Sequence, residues 1–239
     1  MGDPLRPLWD FDDLDATERR FAALEAEVLT QLARVQGLRG AFDAGEELLG
    51  QAERLAGDSA AARARIELER GRLRRSSGDP KGALPLFESA FAIANDAGEE
   101  SLAVDAAHMA AIATEDADVV GTWTQRGIDV AEASADADVR YWLGPLLNNL
   151  GWSHFDAGRY EDALAAFERA LAARERDPGR PREIAIARYA VAKALRLLGR
   201  LDEAREQIGR ALAWAESAGK RDDYFEEERG EIEAARTRT

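Results

Sequence analysis

A glycine followed by a small–bulky–small triplet returns along this chain at intervals of about forty residues, and few folds can satisfy such a beat. The glycines are Gly40, Gly78, Gly158 and Gly199. Behind them come Gly45, Leu49 and Ala52; Ala83, Phe87 and Ala90; Ala163, Phe167 and Ala170; Ala204, Ile208 and Ala211. Seven residues ahead of each glycine stands a further small residue: Ala33, Gly71, Gly151 and Ala192. Two antiparallel helices approach closely only where side chains are small. A glycine just past a helix end accepts the positive φ that turns the chain back. The pattern predicts an all-α solenoid of stacked antiparallel helix pairs.

The 3.6-residue period and the breakers place the elements. An acidic, aromatic arm fills residues 1–14, and Asp15 reads as the first N-cap, with Thr17 and Glu18 in the turn behind it. No Gly or Pro interrupts the run to Gln36, which allows one long helix, paired with 42–55. Further pairs fall at 59–77 with 81–95, 99–114 with 118–134, 139–157 with 160–174, and 182–198 with 201–217. Pro145 fits either a first-turn proline or a kink. The Glu-rich stretch 223–236 reads as a cap, because a terminal repeat needs a polar outer face. The organisation expected is therefore an arm (1–14), one array of five pairs (15–220) and a capping helix with tail (221–239).

Composition removes several function classes. With 46 acidic against 32 basic side chains and a net charge of −14, the chain lacks the basic footprint of a nucleic-acid binder. It has no cysteine, hence no disulfide framework and no thiolate metal site. No apolar run reaches a membrane span, and the acidic start is unlike a secretory signal, so a cytoplasmic protein is expected. No phosphate loop, nucleophile elbow or paired-carboxylate motif is present. His108 and His154, the only histidines, lack the convergent ligands of a metal site; His154 sits at a packing position. Neither an enzyme, a cofactor nor a metal is expected.

The stretch 147–172, LNNLGWSHFDAGRYEDALAAFERALA, resembles the tetratricopeptide repeat family: Leu150, Gly151, Gly158, Tyr160, Ala163, Phe167 and Ala170 fall on its pattern. The copy at 194–212 is also good, those near Gly40 and Gly78 are fair, and the third, with Val120, Trp123 and Gly127, is degenerate. The repeats exceed the family's 34 residues, and this extended form resembles those of kinesin light chains and of bacterial peptide-binding regulators. The resemblance implies a right-handed superhelix acting as a non-catalytic protein-binding scaffold.

It also implies that the first helix of each pair lines the concave face. Transferred to this sequence, the peptide-binding candidates are Arg34; Arg65, Arg72 and Arg75; Asn148, Asn149 and Trp152; and Tyr189, Lys193 and Arg196. Asn side chains could satisfy a peptide's amides and guanidinium forks could grip its carboxylates. The alternative is that the arginines pair with neighbouring carboxylates such as Glu67, Glu69 and Glu99. The family's clamp for acidic C-termini matches only at Asn149, since Ile186 and Ala190 occupy the following positions. The expected partner is a protein or an extended, acidic peptide, with neither nucleic acid nor membrane. A homo-oligomerisation scaffold, or a regulatory module of a larger system, is the alternative. The arm segment 8–15, LWDFDDLD, could occupy a basic groove or pack on the first helix as a cap.

Overall fold

The computed structural model describes residues 3–238 and divides into two compact units, one running to Val130 and the other starting at Ala131. Among the described residues there is no strand.

In the first unit a 3₁₀ turn (Arg6–Leu8) leads into α1 (Leu14–Leu38), α2 (Phe42–Ala56), α3 (Ala60–Ser76), α4 (Pro80–Asp96) and α5 (Glu100–Ala111), followed by α6 (Ala117–Ala133), in whose last turn the division falls. The second holds α7 (Ala137–Arg140), α8 (Leu143–Asp156), α9 (Tyr160–Glu175), α10 (Pro181–Leu197), α11 (Leu201–Ser217) and α12 (Asp223–Arg236). Within each unit the strongest packing joins chain neighbours: α1 on α2 and α3 on α4 in the first, α8 on α9 and α10 on α11 in the second.

Four hairpins close by the same device. The amide after the turn glycine donates to the carbonyl five residues back: Ala41 to Gln36, Asp79 to Arg74, Arg159 to His154 and Arg200 to Leu195, all at 2.9 Å. This is the six-to-one bond of a Schellman cap. It requires a left-handed residue at the reversal, and Gly158 supplies it with φ +73°. A side chain there would meet no neighbouring atom within 4 Å, so any strain at this site belongs to the backbone.

The core explains the small–bulky alternation. Phe87 and Phe167 are fully buried, and each ring lies against a glycine sixteen residues earlier. A Cβ built on Gly71 would sit 2.5 Å from the Phe87 ring, and one on Gly151 would sit 2.4 Å from that of Phe167. The two other hairpins use the same spacing with a different pairing: Ala33 shares a core cluster with Leu49, and Ala192 with Ile208. Where the bulky residue is aromatic the small one is glycine, and where it is aliphatic the small one is alanine. The chain thus conserves the summed volume at each crossing, as interiors packed to crystal density require.

Two boundaries differ from the sequence reading. The first helix starts at Leu14 and is capped by Asp13, whose carboxylate accepts from the Ala16 amide at 2.8 Å. Asp15 lies inside the first turn, because Thr17 engages the arm instead: its hydroxyl donates to the Asp10 carbonyl and accepts the Asp10 amide. The expected helix 139–157 is broken into α7 and α8 around Tyr141 and Trp142. Pro145 is the cause. It has no N–H to reach the Tyr141 carbonyl, and its ring crowds that carbonyl, so α8 restarts with Pro145 in its first turn.

The arm packs as a cap on α1. Trp9 stacks on Phe11 and meets Phe21 edge-on, both at 5.5 Å, while Arg20 reaches the Asp10 carboxylate and the Leu8 carbonyl.

Candidate functional site

The first helices of successive pairs carry all ten candidate residues, and the two units treat them differently. In the first unit each of the four arginines has a partner within the fold. Arg65 on α3 donates to Glu27 on α1 at 2.8 Å. Arg72 donates from Nη2 to both carboxylate oxygens of Asp105 on α5 at 2.6 and 2.7 Å, and from Nη1 to Glu69 on its own helix. Arg34 of α1 lies 3.7 Å from the same Glu69. Arg75 donates to the carbonyl of Ile112 at the end of α5, where a cation complements the helix dipole.

The result is a relay, Arg34–Glu69–Arg72–Asp105, running from α1 across α3 to α5. Glu69 is buried. Burial pushes its carboxyl above the ordinary value, with Arg72 and then Arg34 pulling the other way. Burial also opposes the charge on Arg72, but Asp105 and Glu69 outweigh it and raise the guanidinium pKa. A guanidinium suits such a bridge, because its several fixed N–H donors can hold two carboxylates at once. The relay accounts for these side chains as ties between helices, and Glu69 was among the partners the sequence suggested. Glu27 and Asp105 were not, since pairs separated by more than thirty residues leave no local spacing signal.

His108 stands beside this relay on α5. Burial pushes its imidazole below the ordinary 6.5, Asp105 acts against that, and Arg72 and Arg75 add to it. The folded state therefore favours neutral His108, whereas the unfolded chain takes up a proton as pH falls through 6.5. Stability should drop on acidification across that window, by at most ~1.4 kcal/mol per pH unit for one proton. Urea melts at steps between neutral and mildly acidic pH should show a shallower fall for His108→Gln than for the parent chain.

In the second unit the candidates separate into two groups. Trp152 is part of the core, edge-on to Phe167 at 5.0 Å and to Phe155 at 5.3 Å. Tyr189 and Arg196 on α10 are taken up by α12: Tyr189 packs on Phe225 at 5.6 Å, and Arg196 grips Glu228 at 2.5 and 3.2 Å. The hydrogen bond to Glu228, against some desolvation, raises the Arg196 pKa. The capping helix thus anchors itself on two positions that the sequence placed in the groove. Asn148, Asn149 and Lys193 remain. Asn149 is exposed, Asn148 Oδ1 is buried with no hydrogen-bond partner, and Lys193 donates to the Tyr189 hydroxyl at 3.2 Å while lying over its ring. α8, which carries the asparagines, touches α10, which carries the lysine.

His154 lies at the last turn of α8, half-buried, with its Nδ1 beside the Arg159 guanidinium at 2.8 Å, so it serves the hairpin end rather than the core. Among the described residues no group of three His, Cys, Asp or Glu side chains is placed to hold a metal ion. None of the described helices is long and apolar enough to cross a membrane.

The hairpins, their glycine reversals and the small–bulky crossings are the marks of one family, and the stretch 142–217 matches its model. Residues 142–217 are tetratricopeptide repeats. Solved structures extend that fold over the rest of the chain. The apo form of RapI matches with a TM-score of 0.70 at 12% identity, over 98% of this chain and 64% of that one. BtubC (BKLC) from P. vanneervenii gives 0.67 at 16% identity, covering 92% and 94%. Aspartyl phosphate phosphatase F from Bacillus subtilis gives 0.66 at 18% identity, covering 92% and 60%. At these identities the likeness is one of fold. No curated protein matches the sequence significantly. A tetratricopeptide repeat fold is typically a scaffold without chemistry of its own, and function resides in what its surfaces hold.

Proposed function

We propose that this chain is a non-catalytic, cytoplasmic protein-binding scaffold, and that the α8–α10 face of its second unit receives an extended peptide. The observation carrying this reading is the polar capacity left open there. A buried amide oxygen without a partner costs free energy unless something arrives to satisfy it. Asn148 Oδ1 is such a group, Asn149 beside it is exposed, and Lys193 has a neutral phenol rather than a carboxylate as its hydrogen-bond partner. Together they offer amide donors, amide acceptors and one cation, the set that recognises a peptide backbone with an acidic side chain or terminus. The four arginines of the first unit support a different role, holding α1, α3 and α5 together.

Selection of a displayed random-peptide library on the immobilised chain tests the proposal. Selected peptides should be enriched in Asp and Glu, and the double variant Asn149→Ala, Lys193→Ala should bind them at least ~10-fold more weakly, about 1.4 kcal/mol, with an unchanged circular dichroism melt. Equal binding by the folded variant would overturn the assignment of this face.

A further inference from the structure

The outer side of α1 carries a feature that peptide recognition does not use. Leu24, Val28, Leu32, Val35 and Leu38 are between 37% and 83% exposed, an unusual concentration of open aliphatic surface on a chain of net charge −14. Leu32 apart, they are not scattered. Leu24, Val28, Gln31, Val35 and Leu38 follow one another at spacings of four, three, four and three, the repeat of a coiled-coil seam; Phe21, three residues earlier, extends the same line and is met on one side by Trp9 of the arm. Ala26, Thr30 and Ala33, which face the unit's own core, are fully buried on the opposite side of the helix. The seam runs ~27 Å along a helix that is already formed and held by α2 and α3.

We infer that this seam pairs with the same seam of a second copy of the chain, antiparallel, around a two-fold axis between Leu29 and Thr30. A stripe with a period of 3.5 residues fits another helix rather than an extended strand, and a two-fold contact needs a surface complementary to itself. The flanking charges choose the direction. In the antiparallel register Glu18 faces Arg39 of the second copy, a pair that occurs twice, while Glu27 and Arg34 keep the partners Arg65 and Glu69 that they have within the fold. In the parallel register Arg34 would face Arg39 of the second copy, setting like charges together. Gln31 falls in a central layer opposite Val28 of the second copy, and a polar side chain within an apolar seam fixes register at some expense of stability. A helix pair of this length, with its flanking side chains, removes on the order of 1,000 Å² of surface in total, the lower end for specific dimers. The association is therefore reversible and concentration-dependent.

Sedimentation velocity of the whole chain from about 1 to 100 µM tests this. The expected result is a monomer–dimer equilibrium within that range. Val28→Lys, at a half-exposed position where the monomer's melt should not change, should weaken it at least ~10-fold. Arg39→Glu should weaken it a few-fold, and adding Glu18→Lys to that variant should restore it. A chain that stays monomeric throughout, or a dimer indifferent to Val28→Lys, would remove the proposal. Tightening by Arg39→Glu would reverse the strand direction and overturn the antiparallel register. Because α8 and α10 take no part, loss of self-association leaves the peptide reading standing, and the converse holds.

Discussion

Gly151→Ala is expected to destabilise the second unit by about 1–3 kcal/mol, the range for overpacking a well-filled interior. The added methyl would meet the Phe167 ring at 2.4 Å, and the ring is fully buried. The sign is informative, because glycine to alanine inside a helix ordinarily stabilises by about 1 kcal/mol. Phe167→Ile alone should also destabilise, by part of the ~3–5 kcal/mol that full truncation of a buried phenylalanine costs. The two changes together recreate the combination found where Ala192 meets Ile208. The double variant should therefore be more stable than the sum of the single losses predicts, by at least ~1 kcal/mol, as expected for residues in contact. Denaturant melts of the four proteins give the coupling directly. Strict additivity would show that the two positions do not share one space.

Arg196→Ala is expected to have the second large effect, about 3 kcal/mol or more on the docking of α12. Glu228 is 3% exposed, and removing its guanidinium leaves a carboxylate shut away from water without compensation. The cheapest escape is for α12 to leave α10, which would also uncover Tyr189 and Phe225. The loss should thus register first as cleavage by trypsin at Lys220 and Arg221 under conditions where the parent chain resists, and only then as a lower melting temperature. Glu228→Ala should cost less, since the Arg196 side chain can extend toward solvent once its partner is gone. Replacing both with apolar residues of similar volume, Arg196→Met and Glu228→Leu, should recover most of the stability.

The hairpins were legible because their determinants are local. A glycine reversal, the small residue seven positions earlier and the bulky one nine positions later all lie within a single helix pair, and packing fixes what each must be. The same locality made the extent of α12 plain from its glutamates, and the structure adds the Asp222 carboxylate as its cap. The break between α7 and α8 was not decidable, since Pro145 satisfies a first turn and a kink equally until the preceding carbonyls are placed. The N-cap shifted from Asp15 to Asp13 because a contact with the arm decides it, and Thr17 bonds to Asp10 seven residues away. Among the candidate residues, sequence placed the side chains on the right helices but could not see their partners. Arg72 finds Asp105 thirty-three residues on, and Arg196 finds Glu228 thirty-two residues on. Such pairs depend on how one hairpin stacks on the next, which no spacing within either hairpin records.

In both units the firmest packing joins each helix to the one that follows or precedes it in the chain. Wiring of this kind closes no long loops, so little entropy need be lost before the first contacts form. Each hairpin can settle as soon as its second helix has been synthesised, and the faces that must wait longer, α1 for α3 and α10 for α12, wait for only one more hairpin or helix.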